Sequence, residues 1–255
     1  MRDWVIKGLQ TGIVTTHYPA AEDHSPGISP GFPRGGACDD KAAKDLAEIC
    51  PTGALRQAGG QLVVDRALCV HCYRCARGTA TPAVWETGFE WAGIETNSSA
   101  FPPSFRGSLH IRVVDAGSCG ACLNEVKLLN NPYYNMHRLG FFITPTPRQA
   151  DILLVVGPVT DHMKIPLLKA YEAMPSPKRV MAVGACALTG GVFGSSFVSC
   201  SGVVDMIPVD VKVPGCPPPP LAILHGLLVL SGRKAPSPLV FPAESASEER
   251  GTRND

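Results

Sequence analysis

The sequence lacks the features of a protein that binds a polyanion or spans a membrane. Aromatic residues make up only 7% of it, and 23 Lys and Arg against 22 Asp and Glu leave a formal net charge of +1. Without a basic excess, a nucleic-acid partner is not expected. The longest apolar run near the end, residues 221–230, has about half the length that a membrane-spanning helix needs. We therefore expect no transmembrane segment.

The N-terminus also lacks a secretory signal, because residues 1–8 contain no long apolar region with a small-residue cleavage site. This favours a reducing compartment, where clustered cysteines are more often metal or redox sites than disulfides. Gly-x-Gly stretches such as Gly190-Gly191 do not open a dinucleotide fingerprint, so nucleotide binding is not expected. What the chain does have is ten cysteines, and their spacing carries most of the functional information.

Changes in composition divide the chain into five segments. We predict an N-terminal arm and connector, a small cysteine-bearing unit, an irregular linker, a larger domain and a mobile tail at residues 1–37, 38–82, 83–107, 108–233 and 234–255, respectively. Two interpretations stay open for the arm, which carries Trp4 and Leu9. It lies on a partner or membrane surface, or it packs as an ordinary helix on its own domain.

In the larger domain, short β-branched runs alternate with helical patterns. The predicted strands are residues 109–114, 151–156, 179–183 and 209–213, and the predicted helices are residues 124–129, 163–173 and 221–230. Apolar runs without alternation are typical of parallel strands that are buried on both faces. The pattern therefore predicts a doubly wound α/β domain with a parallel sheet.

Four cysteines follow these predicted strands. Cys119 and Cys122 come after the first strand, Cys186 after the third and Cys216 after the fourth. Because loops at the carboxyl ends of parallel strands gather along one sheet edge, we expect the four thiols to converge. Thiolates hold the iron of a 4Fe–4S cluster, one cysteine per iron. We expect glycines to let the backbone approach that cluster, at positions 117, 120, 184 and 215.

A structural zinc ion also accepts four thiolates and stays open as an alternative. Zinc ribbons usually pair two Cys-x-x-Cys knuckles, whereas here one pair is followed by two single cysteines on separate loops. This spacing favours iron–sulfur over zinc. Four unrelated buried thiols are the third alternative.

A second cysteine set lies in the small unit, where we predict a helix over residues 42–49 and a strand over residues 61–65. Bacterial ferredoxins bind clusters with the run C-x2-C-x2-C-x3-C-P. Here Cys69, Cys72 and Cys75 fit the run, but Thr79 stands where the fourth ligand would be. Cys50, followed by Pro51, matches the crossover ligand of a degraded earlier run. We predict one 4Fe–4S cluster on these four cysteines, with zinc as the alternative.

The larger domain resembles a known family through several motifs in order. These are GSCGACLNE at 117–125, NPYY at 131–134, PRQADILLVVGPVT at 147–160, VGACA at 183–187 and VPGCPP at 213–218. They resemble the small subunit of energy-converting, complex-I-like nickel–iron hydrogenases of the formate-hydrogenlyase type, and the homologous NADH:quinone oxidoreductase subunit of respiratory complex I. The resemblance covers residues 108–233. It implies a flavodoxin-like domain that holds the cluster nearest the catalytic large subunit.

Two details of the motifs qualify the resemblance. The complex I homologue has two adjacent cysteines at the first position, whereas Cys119 and Cys122 are spaced as in the hydrogenases, which favours the hydrogenase branch. After Cys216 the family commonly has a basic and then an acidic residue, but this chain has Pro219 and Pro220. This departure puts any family statement about potential tuning or a quinone site in doubt.

The small unit resembles the ferredoxin-like subunit that accompanies such small subunits, so two family proteins are fused here. The resemblance implies a peripheral protein on the cytoplasmic face of the cell membrane, with a nickel–iron large subunit and further redox and membrane subunits as partners. It would pass electrons between an external carrier and the large subunit through two 4Fe–4S clusters. The alternatives are a complex-I-like redox module whose large subunit lacks nickel, and a zinc-stabilised scaffold without redox activity.

Four further residues have narrower interpretations. Glu125 stands where hydrogenase-like small subunits carry a glutamate near the cluster, and it is either a proton relay or a helix N-terminal carboxylate stabilised by the dipole. Cys38 is interpreted as a leftover or free thiol and Cys200 as a buried structural thiol. His71, between two predicted ligands, is a candidate hydrogen-bonding group for the cluster.

Overall fold

A computed structural model describes residues 2–95 and 100–241. Its helices are α1 (Arg2–Thr11), α2 (Asp40–Ile49), α3 (Arg74–Arg77), α4 (Ala121–Leu128), α5 (Asp161–Ala173), α6 (Ala185–Thr189) and α7 (Pro220–Leu230). Its strands are β1 (Phe32–Pro33), β2 (Gly36–Ala37), β3 (Leu55–Ala58), β4 (Gln61–Asp65), β5 (Trp85–Glu86), β6 (Gly93–Ile94), β7 (Leu109–Asp115), β8 (Phe141–Ile143), β9 (Ile152–Val156), β10 (Arg179–Val183), β11 (Val211–Val213) and β12 (Val240–Phe241). Short 3-10 turns lie at Pro103–Phe105, Met136–Leu139, Pro147–Gln149 and Val203–Asp205.

The larger sheet has six strands in the order β6-β11-β10-β9-β7-β8. The strands from β7 to β11 pair in parallel, and β6 adds an antiparallel edge next to β11. Numbered along the chain, the five parallel strands stand in the order 2-1-3-4-5. The prediction of an α/β domain with a parallel sheet is confirmed.

The central strand β9 is apolar throughout because both faces of the sheet are covered there. All five residues of β9 are fully buried. Leu154 packs in a core with α4 and α7, whereas its neighbours Leu153 and Val155 pack on the other face with α5 and α6. Each fully buried aliphatic side chain stabilises the fold by about 1.5–3 kcal/mol. This packing fixes which loops leave the carboxyl edge of the sheet.

Helix α7 explains the apolar run near the end of the sequence. Every residue of α7 is buried, including His225 at 1% exposure. The Nδ1 atom of His225 accepts a hydrogen bond from the backbone N–H of Ala92 at 3.1 Å, and its Nε2 lies 3.1 Å from the carbonyl oxygen of Ala235. The apolar run is therefore a core helix. No helix within the described residues is long and apolar enough to cross a membrane.

The small unit is built around strand β4. Strands β3, β2 and β12 all pair with β4 in antiparallel fashion. Helix α2 packs on this sheet through Leu46, and Asp39 caps the helix by accepting a hydrogen bond from the N–H of Ala42 at 3.3 Å. The predicted helix and strand are both present, and the hairpin from β3 to β4 was not predicted.

The predicted linker and the start of the predicted tail contribute short strands. The linker contributes β5, which pairs with β1, and β6, which extends the larger sheet. In the tail, β12 pairs with β4, and the N–H of Arg66 donates to the carbonyl oxygen of Leu239 at 2.9 Å. The edge of β4 has backbone groups that need partners, and the tail supplies them. Residues 96–99 and 242–255 lie outside the described residues.

For the N-terminal arm, the structure favours the interpretation that the helix lies on a partner or membrane surface. Residues of α1 are exposed, with Trp4 at 70% and Leu9 at 80% exposure. Helix α1 is therefore not packed on its own domain. Further along, the arm does contact the larger domain, because the N–H of Thr16 donates to the carbonyl oxygen of Tyr133 at 2.9 Å.

Candidate metal centres

The first cysteine set lies at the carboxyl edge of the parallel sheet. Cys119 lies in the connection from β7 to α4, and Cys122 is a buried residue in the first turn of α4. Cys186 lies in α6 directly after β10, and Cys216 lies between β11 and α7. All ten cysteines are free thiols. The structure therefore places the four predicted ligands at the same edge of the sheet, in loops or in the first turn of the helix that follows a strand.

Side-chain hydrogen bonds hold the loop that carries the first two cysteines. The Oδ1 atom of Asp115 accepts hydrogen bonds from the N–H groups of Gly117 at 3.1 Å and Ser118 at 2.7 Å. The hydroxyl oxygen of Ser118 in turn accepts from the N–H of Gly120 at 3.2 Å. Because the loop is tied to the end of β7, the position of Cys119 is fixed by the sheet.

The thiols of this set are close enough to influence one another. Burial raises the pKa of Cys122 to about 12, and the charges of Cys216, Cys186 and Cys119 act in the same direction. Burial and the charges of Cys216 and Cys119 raise the pKa of Cys186 to about 11. Four converging thiolates would repel one another at this partly buried site. The positive charge of an iron–sulfur core would reduce that repulsion, because coordination deprotonates the thiols and offsets part of their charge.

Two glycines make room for the sulfur atoms. Gly184 has a φ of +92°, and a Cβ there would lie 2.5 Å from the Sγ of Cys122. A Cβ at Gly191 would lie 2.8 Å from the Sγ of Cys186. Gly117 was expected to let the backbone approach the cluster. In the structure, its missing Cβ makes room for the side chain of Thr160. Gly215 likewise makes room for Pro218.

The second cysteine set lines one small cavity in the small unit. Cys50 ends helix α2, Cys69 and Cys72 lie in the loop before α3, and Cys75 lies in α3. All four line the cavity together with Trp85. Burial raises the pKa of Cys69 to about 12, with the charges of the other three cysteines contributing in the same direction. Burial also raises the pKa of Cys75, which the indole N–H of Trp85 opposes.

The two remaining cysteines and Thr79 stand apart from both sets. Cys38 lines a different cavity, beside Leu46 and Leu62. Cys200 is half-buried against the core under α5 and α6. The hydroxyl of Thr79 donates to the carbonyl oxygen of Thr81 at 2.9 Å. Neither set thus gains a fifth thiol from these positions.

The residues present fit iron–sulfur clusters by their donor chemistry and by the space around them. Each set provides four thiols, the number that one 4Fe–4S cluster takes. Because Gly184 and Gly191 have no Cβ, no atom at these positions displaces the sulfurs of Cys122 and Cys186. Within residues 2–95 and 100–241, no three His, Cys, Asp or Glu side chains are grouped closely enough to share a single metal ion.

The two sets meet at His71. The N–H of Cys216 donates to the Nδ1 of His71 at 3.4 Å, across 145 residues of sequence. Burial lowers the pKa of His71 to about 4, so the ring is neutral and can accept this bond. Nearby, the hydroxyl of Thr189 lies 3.4 Å from the carbonyl oxygen of Ala67. Cys69 and Cys122 also belong to one continuous apolar core.

Glu125 lies on α4, facing a cavity of about 490 Å³ between the two units. The cavity is also lined by His71, Tyr134 and Cys216. Burial raises the pKa of Glu125, and the charge of Glu125 contributes to the raised pKa of Cys122. A half-buried carboxyl with a raised pKa holds its proton at a higher pH than an exposed one does, which suits a group that takes up and releases protons.

Two features of these sites were not predicted from the sequence. Gly191 belongs to a glycine pair that closely follows Cys186, and this pair could have indicated a close approach of the backbone to that cysteine. The contact between His71 and Cys216 joins distant parts of the chain, and no local signal in the sequence indicates it.

Comparisons with known proteins match the part of the chain that holds the first set. The profile of the family described as NADH ubiquinone oxidoreductase, 20 Kd subunit, matches residues 119–230. The probable membrane-bound hydrogenase subunit mbhJ of Pyrococcus furiosus is 46% identical over 116 residues, which cover 46% of this chain and 70% of that protein. An NADH-quinone oxidoreductase subunit of Carboxydothermus hydrogenoformans is 42% identical over 120 residues, covering 47% of this chain and 72% of that protein.

A third relative is longer than the region it shares with this chain. Formate hydrogenlyase subunit 7 of Escherichia coli K12 is 39% identical over 125 residues, which cover 49% of this chain and 49% of that protein. The shared region therefore spans about half of each of these two chains.

Proposed function

We propose that this chain, which belongs to the NADH ubiquinone oxidoreductase 20 kDa subunit family, is the electron-transfer subunit of a membrane-associated nickel–iron hydrogenase complex. It would pass electrons between an external carrier and a separate nickel–iron large subunit through two 4Fe–4S clusters. The observation that carries this proposal is the convergence of two sets of four thiols, each of which includes a buried thiol, Cys122 in one and Cys69 in the other.

Each cysteine set has a defined role in the proposal. Cys119, Cys122, Cys186 and Cys216 would hold the inner cluster, which serves the large subunit. Cys50, Cys69, Cys72 and Cys75 would hold the outer cluster, which serves the external carrier. A 4Fe–4S cluster supplies one-electron chemistry when it is bound. The apolar core around Cys69 and Cys122 keeps water from these two sulfurs, whereas Cys72 and Cys119 are exposed.

The strand order supports a flavodoxin-like larger domain. The order 2-1-3-4-5 is one of the two common orders of doubly wound folds, and ligands of such folds bind at the carboxyl edge. Cys119 and Cys122 follow β7, the strand at which this order reverses. We also propose that residues 38–82 are a ferredoxin-like unit for one cluster, supported by the cavity that its four cysteines share.

An exposed apolar surface next to Cys186 supports a partner at the inner site. Phe193 is 61% exposed and Phe197 is 96% exposed, and both follow Gly191, which contacts Cys186. Exposed apolar groups that cluster in this way are typical of protein interfaces. We propose that the large subunit covers this surface. Further redox and membrane subunits would hold the complex peripherally at the cytoplasmic face of the membrane, in keeping with the membrane-bound hydrogenase relative.

The alternative is a complex-I-like oxidoreductase whose large subunit lacks nickel and reduces a quinone or another acceptor. The NADH-quinone oxidoreductase relative favours this alternative, whereas the spacing of Cys119 and Cys122 favours the hydrogenase. Purification of the whole complex separates the two. We expect nickel in the large subunit, together with uptake or evolution of hydrogen. A complex without nickel or hydrogen turnover that reduces a quinone would contradict the hydrogenase proposal.

We propose Glu125 as a proton relay between its cavity and the large subunit. Glu125→Gln keeps the shape of the side chain but cannot release a proton. Turnover of the complex should therefore fall by about 10²-fold or more, as expected for loss of a general acid–base group. The electron paramagnetic resonance signals of both clusters should persist. Full turnover in this variant would leave Glu125 as a helix N-terminal carboxylate.

A further inference from the structure

His71 lies at the one described position where a side chain from the outer cysteine loop is hydrogen-bonded to a cysteine of the inner set. It stands between Cys69 and Cys72, and its Nδ1 accepts the backbone N–H of Cys216 at 3.4 Å. His71 thus joins the outer cysteine loop to a cysteine of the inner set.

The surroundings of His71 fix the orientation of its ring. The ring centroid lies 4.6 Å from that of Phe32, which is 1% exposed, and 6.1 Å from that of Trp85. His71 has a φ of +51°, a left-handed conformation that is uncommon for residues other than glycine. Such a conformation persists where neighbouring contacts determine it. The ring is therefore held in place rather than free to rotate towards solvent.

A packed path leads from the outer site to the inner one. Trp85 lines the cavity of the four outer cysteines and packs near His71. His71 in turn is hydrogen-bonded to the backbone of Cys216. Electron tunnelling becomes much slower as the distance between two centres increases, so a contact that fixes this distance also fixes the rate.

We propose that His71 is the positioning residue that couples the two cluster sites, by holding the Cys216 loop against the outer cysteine loop. This inference rests on the proposed function, because it requires both clusters. The contact also occupies the N–H of Cys216. Hydrogen bonds to the sulfurs of a cluster affect its reduction potential. A free N–H at this position would stabilise the more negative, reduced form of the inner cluster.

The test compares His71→Leu with His71→Asn. Asparagine places an acceptor oxygen close to the position of Nδ1, whereas leucine has a similar shape without an acceptor. Tyr73→Leu is the matched control, because Tyr73 also has a left-handed φ, of +58°, in the same loop. The measurements are the iron content, the spin–spin interaction between the two reduced clusters in electron paramagnetic resonance, and the midpoint potential of the inner cluster.

We expect His71→Leu to keep both clusters, to lose the spin–spin interaction and to shift the inner potential to a less negative value. His71→Asn and Tyr73→Leu should resemble the wild type in both measurements. An unchanged interaction and potential in His71→Leu would overturn the proposal, as would their loss in a His71→Asn variant that keeps both clusters. If the wild type itself holds fewer than two clusters, the proposed function fails, and this inference fails with it.

Discussion

Replacing Cys122 by alanine is expected to reduce the iron content of the chain from about eight to about four atoms, because each 4Fe–4S cluster needs four thiolates. Cys122 is the most buried member of the inner set, and the charges of the other three cysteines all act on its thiol. The two cysteines outside both sets lie elsewhere and cannot replace it: Cys38 lines another cavity and Cys200 packs against another core. The inner cluster should therefore be lost while the outer one remains.

Cys69→Ala should produce the complementary loss, because Cys69 occupies the corresponding buried place in the outer set. Cys200→Ala is the matched control, since Cys200 is half-buried but packs against a different core. Iron and acid-labile sulfide are measured after anaerobic purification, and the remaining cluster is identified by electron paramagnetic resonance. Retention of all eight irons in Cys122→Ala, or loss of four in Cys200→Ala, would contradict the assignment of ligands.

Gly184→Ala should also abolish the inner cluster, although position 184 is not a ligand. The new Cβ would lie 2.5 Å from the Sγ of Cys122 and would displace that sulfur. The φ of +92° adds strain, which costs roughly 1–2 kcal/mol for a residue with a Cβ. We expect iron to fall to about four atoms per chain, the content of one cluster, with a lower thermal midpoint.

Gly60→Ala separates the effect of the clash with Cys122 from the effect of backbone strain. Gly60 has a φ of +74°, but a Cβ there meets no atom within 4 Å. This variant should therefore show a comparable loss of stability while it keeps both clusters. Equal iron contents in the two variants would mean that the space beside Cys122 is not required for the inner cluster.

The parallel sheet could be predicted because its strands carry their own signal. Strand β10 spans the predicted residues 179–183, and β9 begins one residue after its predicted start. β9 is an uninterrupted apolar run, and β10 is one after Arg179, since both faces of these strands are buried. Strand β8 was missed because Phe141–Ile143 has only three residues. The two-residue strands β6 and β12 were missed because their pairing depends on a partner edge, and not on their own residues.

The cysteine sets could also be predicted in part. The rule that parallel strands end at one edge was sufficient to bring Cys119, Cys186 and Cys216 together. The ferredoxin spacing was sufficient to group Cys69, Cys72 and Cys75. The relation between the two sets depends on how the units pack, through His71 and through Thr189. These contacts span more than a hundred residues of sequence, and a local pattern does not contain them.

The most direct test of the central claim is the metal content of the anaerobically purified chain. The account predicts about eight iron and eight sulfide atoms per chain, from two four-iron clusters. It also predicts a broad absorption near roughly 400 nm, from charge transfer between thiolate and iron. Zinc in place of iron, without visible absorption, would contradict the account.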